Sequence, residues 1–266
     1  MAEITSELVA RAVSGDADAV TEIVRALERP FYNVALKMLS NRQDAEDAAQ
    51  DALIRVVTRL AQYRGDAQFS TWAWRIAIRR ILDVRTARPR YSFDAYAADL
   101  ADGREDAAAE RPEDAVLYRE LKVICSRALL QCLDADQRVA FVLGSILELD
   151  STEAAEIVEV DPATFRKRLS RARAALNGFL MKHCSVVNEA APCACHRRVT
   201  RATALGRIDR DVLDVTEGDL VQLRRRIASL PEAARVEASY RSDPELTSRR
   251  DIVAAVHEML GRLAFN

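Results

Sequence analysis

The sequence predicts an all-α fold. Gly and Pro are scarce, at 8 and 7 of 266 residues. Ala, Leu, Arg and Glu recur, a mix that favours helix and gives strands little to work with. Apolar residues also return every three to four positions through most of the chain, the spacing of a helix with one buried face. Apolar residues make up 49% of the total, enough for real cores, and the length suggests two or three domains.

The net charge is -2, so affinity for nucleic acid must come from how charge is distributed and not from its total. The first twenty residues lack a basic start followed by an apolar run, so no signal peptide is read. No stretch approaches the 18 uncharged apolar residues of a membrane span, and a cytoplasmic protein without a membrane partner is expected. Five cysteines in a reducing compartment are expected to be free or metal-bound and not disulfide-paired.

From Ser6 to Leu60 the pattern is helical, with breaks expected near Gly15 and Pro30. Asp44, Asp47 and Asp51 share one helix face, backed by the apolar stripe Leu53, Val56, Val57 and Leu60. Phe69 to Arg85 reads as one helix, with Ser70 or Thr71 available to cap its start. This helix holds both tryptophans, Trp72 and Trp74. Between Arg64 and Arg90 lie seven arginines against two aspartates, a local charge of +5. Guanidinium groups fork onto phosphates and tryptophan faces stack on unpaired bases, so this segment suits melted DNA. The spacing of Trp72 to Ile76 and Trp74 to Ile78 equally fits two buried aromatics in a core helix.

Tyr91 to Asp114 carries eight acidic residues against two arginines, with Gly103 and Pro112, and reads as a solvated, flexible linker. From Ala115 to Leu180 helical periodicity resumes. A short helix from Thr152, a tight connection near Val160 and Asp161, and a basic helix opened by Pro162 make a helix-turn-helix pattern. Asp161 is placed to cap the second helix. Asp161 to Lys182 holds six basic residues against one acidic, a local +5, while Phe165, Leu169, Ala172 and Leu176 form an apolar stripe. The final block is helical, with starts expected near Thr216, Pro231 and Pro244. There is no Gly-rich phosphate loop and no nucleophile–base signature, so no enzymatic activity is expected.

The run "DAEDAAQDALIRVVTRLAQYRGDAQFSTWAWRIAIRRILDVRTAR", with its acidic D-A-E-D-x-x-Q-D start, its F-x-x-W-x-x-x-I spacing and its basic tail, resembles the second conserved region of an extracytoplasmic-function (group 4) sigma factor of bacterial RNA polymerase. The resemblance resumes from about Glu113 to Leu180. It implies two helical sigma domains, at 1–90 and 113–182, joined by an acidic linker at 91–112. A Cys-containing helical extension at 183–266 follows. By this resemblance Asp44, Asp47, Gln50, Asp51, Leu53 and Arg55 bind core RNA polymerase, a carboxylate row fixing register against a cationic partner. Trp74, Arg75, Arg79, Arg80 and Arg85 meet the promoter −10 element, with Trp72 packing in the core. The loop Tyr63 to Gln68 matches where a flipped base is captured, a step costing a few kcal/mol. Thr164, Arg166, Lys167, Arg168, Arg171 and Arg173 meet the −35 element. Phe165 departs from the family's usual smaller residue there, which puts fine −35 specificity in question.

Cys184, Cys193, Cys195 and His196 supply enough thiolate and imidazole for a tetrahedral zinc site, although the C-x-C-H spacing equally fits structural cysteines. No cofactor is required. Core RNA polymerase, promoter DNA and an anti-sigma factor are the partners the resemblance implies. The extension is expected to regulate polymerase or DNA binding. The rival reading is a helix-turn-helix regulator that binds DNA without being a polymerase subunit. It leaves the acidic helix and the Trp–Arg segment unexplained.

Overall fold

The computed structural model describes residues 4–84, 91–105, 108–216 and 219–264. Among them are thirteen α-helices and no strand; Cys184 and Cys193 form one isolated parallel bridge. The chain divides into two units: residues 1–88, 149–166 and 245–266 form the first, and residues 89–148 and 167–244 the second. The units therefore gather segments far apart in sequence.

The first unit contains α1 (Ser6–Val13), α2 (Ala17–Leu39), α3 (Arg42–Thr58), α4 (Phe69–Val84), α8 (Ser151–Ile157) and α13 (Ile252–Ala264). Gly15, at φ +93°, turns the chain between α1 and α2, a conformation open to glycine without a Cβ penalty. Asp16 then caps α2 by accepting from the amides of Asp18 and Ala19. The break expected at Pro30 does not occur; α2 runs through it. A proline inside a helix costs about 3 kcal/mol, and here Ile23, Leu27, Phe31 and Tyr32, all buried, hold the helix together across it. Asn41 caps α3 through the Asp44 amide at 2.9 Å. Helix α4 opens at Phe69, ahead of both expected capping residues, and Thr71 is buried. Its buried face comprises Ala73, Trp74, Ala77, Ile78 and Ile81.

The second unit contains α5 (Phe93–Ala101), α6 (Ala115–Leu130), α7 (Ala135–Phe141) with a π-helical turn at Val142–Ile146, α10 (Val199–Ala204), α11 (Leu220–Ala228), α12 (Glu232–Arg241) and most of α9 (Pro162–His183). Phe141 packs edge-on against Tyr240 at 5.1 Å between ring centroids, and Phe179 packs against Phe93 at 5.4 Å. Lys122 and Asp243 form a buried ion pair at 2.5 Å, and Glu120 accepts from the amides of Asp214 and Val215. Each buried charge thus has partners, as burial demands.

The acidic stretch read as a linker carries α5, capped by Ser92 on the Ala95 amide. Its carboxylates face arginines of the extension: Asp99 pairs with Arg207 at 2.6 Å, Asp102 with Arg201 at 2.5 Å, and Glu110 with Arg224. Composition hid this because the neutralising charges lie about a hundred residues later. In the C-terminal block, α12 follows Pro231 as expected. Helix α11 starts at Leu220, capped by Asp219, and α13 starts only at Ile252, capped by Asp251. The residues after Pro244 run non-helically for seven positions before it.

Candidate polymerase and nucleic-acid interfaces

On α3, the acidic face is built by spacing: Asp44, Asp47, Gln50 and Asp51 lie on the side of the helix away from Ala45, Ala48, Ala49 and Ala52, which are wholly buried. Asp47 is exposed and Gln50 and Asp51 are half-buried. Leu53, expected at the polymerase surface, is instead fully buried. It continues the alanine stripe toward Val56, so it supports the face and offers a partner no surface. Asp51 accepts from Arg55 at 3.1 Å and also pairs with Arg80 of α4. One carboxylate thereby ties a residue assigned to polymerase to one assigned to DNA.

The basic face of α4 opens on a cleft of about 290 Å³ lined by Trp72, Arg75, Arg79, Arg80, Arg55 and Arg59, among others. The two tryptophans have exchanged the roles expected of them. Trp74 is 2% exposed and stacks on Phe31 at 4.9 Å, while Trp72 is half-buried and lines the cleft. A signal for this lay in the sequence. Seven residues after Trp74 comes Ile81, continuing an apolar stripe, whereas seven after Trp72 comes Arg79. Tyr63, Phe69 and Trp72 form an aromatic cluster with ring centroids 5.3 to 5.5 Å apart. The Tyr63 hydroxyl donates to the Ala67 carbonyl at 2.8 Å and closes the loop around Gly65, whose φ is +79°.

The α4 arginines also meet α8. Arg75 pairs with Glu156 at 2.9 Å, and Arg79 pairs with Glu159. Neither glutamate was singled out by sequence, since nothing local links positions some eighty residues apart. Arg85 lies outside the described residues.

Around the helix-turn-helix, Asp150 caps α8 through the Thr152 amide at 2.7 Å, and Glu159 turns the chain at φ +56°. Asp161 accepts from both the Thr164 amide at 2.9 Å and the Thr164 hydroxyl at 2.5 Å. The hydroxyl expected near bases is therefore engaged in the cap. Hydrogen bonds to Thr164 hold the Asp161 carboxyl below its ordinary range. Arg166, Lys167 and Arg171 are exposed. Arg168 pairs with Asp136 at 2.8 Å, and Arg173 with Glu237 at 2.6 Å. Phe165 is fully buried and fills core volume.

The cysteines converge differently from the expected zinc set. Cys184, Cys193 and Cys195 line a small apolar cavity of about 50 Å³ together with Cys125, Tyr96 and Tyr240. His196 is not among the lining residues; its ring lies 6.2 Å from that of Tyr118. Among the described residues no three His, Cys, Asp or Glu side chains are grouped to hold a metal ion. Burial pushes the Cys125 thiol up to about 11 and Cys193 up to about 12. Cys125, Cys184, Cys193 and Cys195 are half-buried, and the four residues read as a zinc set do not share one cavity, because His196 stands apart.

Residues 23–91 match the family model for Sigma-70 region 2, and residues 125–176 the model for Sigma-70, region 4. The ECF RNA polymerase sigma factor SigW of Bacillus subtilis is 34% identical over 173 residues, covering 61% of this chain and 89% of the relative. The RNA polymerase sigma-H factor of Pseudomonas aeruginosa is 32% identical over 183 residues, covering 67% of this chain and 94% of the relative. The fold is like that of CnrH, solved in complex with the cytosolic domain of CnrY, at 24% identity and a TM-score of 0.50 over 67% of this chain and 97% of that one. An all-helical chain with these two matched regions in this order is a sigma factor. The chain belongs to the ECF RNA polymerase sigma factor family and directs promoter-specific transcription initiation. The rival reading, a regulator acting apart from polymerase, is not favoured. Neither family model extends past residue 176.

Proposed function

We propose that the α3 face of Asp44, Asp47, Gln50, Asp51 and Arg55 docks on core RNA polymerase, and that the α4 cleft holds the melted −10 element. Arg75, Arg79 and Arg80 meet phosphates there, and Trp72, not Trp74, offers the stacking face. The loop Tyr63 to Gln68, closed over an aromatic cluster, receives an extruded base. On α9, Arg166, Lys167 and Arg171 meet the −35 duplex directly, while Arg168 and Arg173, already paired, set the pose of the helix. The residues from 183 onward regulate these contacts. A separate anti-sigma factor would bind the same two faces. The chain needs no cofactor and acts without enzymatic chemistry of its own.

The observation that supports this reading most strongly is the cleft in which one half-buried tryptophan and five arginines come together. Charge alone favours any polyanion, but arginine beside an aromatic face favours unpaired bases. In vitro transcription with core enzyme tests it. Arg79→Ala with Arg80→Ala should lower open-complex formation far more than polymerase binding. Equal loss of both, or loss of neither, would show that this cleft does not hold DNA.

A further inference from the structure

We infer that the segment of residues 245–264 is a built-in competitor that covers the polymerase-docking face of α3; the inference rests on the docking role proposed for that face. The segment lies in the same unit as α2 and α3 and is attached to both. Leu246 exchanges two hydrogen bonds with the Asn33 side chain, one to its carbonyl at 2.9 Å and one from its amide at 2.8 Å. Asn33 is 5% exposed in the middle of α2. Glu46, 6% exposed on α3, accepts from the Ser248 hydroxyl at 3.1 Å and the Arg249 amide at 3.0 Å. Buried polar groups need partners, and these two find theirs in the segment. Arg29 reaches the Glu245 carbonyl at 3.2 Å and Arg42 reaches the Thr247 carbonyl at 3.3 Å.

Past this clamp the segment meets the face itself. Arg250 pairs with Asp47 at 2.6 Å and reaches Gln50 at 3.4 Å, two of the residues assigned to polymerase. Helix α13 then lies along α3, with Ile252 and Val256 buried and His257 touching Thr21 of α2 at 3.2 Å. A carboxylate row suited to a cationic partner thus already carries a guanidinium of its own chain. The Arg250–Asp47 pair itself is exposed on both sides, at 39% and 55%. Such a contact is strong enough to compete because its effective concentration is high. It is also weak enough to be displaced.

Two full-length variants test this. Arg250→Glu sets like charges against Asp47 and leaves the core untouched; Ile252→Asp with Val256→Asp releases the helix. Chymotrypsin cleavage after Leu260 of α13, a site both variants keep, reports release, and binding to purified core polymerase reports competition. Both variants should be cleaved faster and should bind polymerase about tenfold more tightly, within the 5- to 150-fold span of ordinary coupling between sites. Faster cleavage with unchanged polymerase affinity would overturn the inference. The docking reading is checked separately by adding Asp47→Ala, which cannot re-form a charge pair with the substituted position 250, to the released chain. If that addition abolishes polymerase binding, docking on α3 stands whatever the segment does; if it changes nothing, both fall. Should the double substitution fail to fold, Arg250→Glu alone decides.

Discussion

Helices α4 and α9 lie in stretches of equal local charge, yet they present that charge differently. On α4, Arg75, Arg79 and Arg80 all face carboxylates of the same chain, from α8, the turn after it, and α3. On α9, Arg166, Lys167 and Arg171 are exposed, with Arg166 reaching only the Ser151 hydroxyl at 3.5 Å, while Arg168 and Arg173 pair with carboxylates. A duplex reader can leave its cations in solvent, since duplex is always present and counterion release drives binding. A helix built to hold melted strands gains from being masked until melting begins. Exposed ion pairs are worth only about 0–1 kcal/mol each, so the mask is light and DNA can displace it.

The comparison can be broken at several points. The largest effect should come from the tryptophans. Trp74→Ala should cost about 3–5 kcal/mol of stability, seen as a lowered denaturation midpoint. Trp72→Ala should leave the midpoint nearly unchanged and impair promoter opening. The opposite pattern would restore Trp74 to the DNA surface. Next come the thiols, which are sequestered as the α4 arginines are. With Cys125 pushed up to about 11 from an ordinary 9.0, alkylation of the native chain at neutral pH should run on the order of 100-fold slower than in the unfolded chain. The folded state keeps its proton while the unfolded state loses it, so stability should fall as pH rises from the unfolded value toward 11. Rapid alkylation at neutral pH would mean the cavity is open.

A smaller change is expected from Glu156→Gln with Glu159→Gln. Freeing Arg75 and Arg79 should raise affinity for single-stranded DNA several-fold, in line with two exposed pairs of about 0–1 kcal/mol each. No gain would mean that α8 does not mask α4. Smallest is Arg171→Ala, which should weaken binding uniformly across −35 variants and reduce the salt slope by about 0.9, one phosphate contact. A change in sequence preference instead would move Arg171 from backbone to base edge.

The two rows of acidic residues make the limits of sequence reading concrete. On α3 the row was legible because its spacing and the buried alanines behind it are local. On α5 the row reads as solvated linker, because the arginines that order it arrive from 198 onward. The tryptophans fall between: the depth of Trp74 follows from the stripe continuing to Ile81, a local signal, and the exposure of Trp72 from Arg79 seven positions on. Leu53 behaves the same way, its burial implied by the alanines preceding it.

By itself the sequence determined most of the helices, the cap at Asp161, the helix-turn-helix and the order of the two sigma regions. These depend on periods of a few residues and on side chains hydrogen-bonding to amides two or three positions away. Only the tertiary structure decided which charges remain available. Arg250 reaches Asp47 across some two hundred residues, and Glu159 reaches Arg79 across eighty. Such pairings depend on where packing brings distant segments together, and no local pattern encodes them.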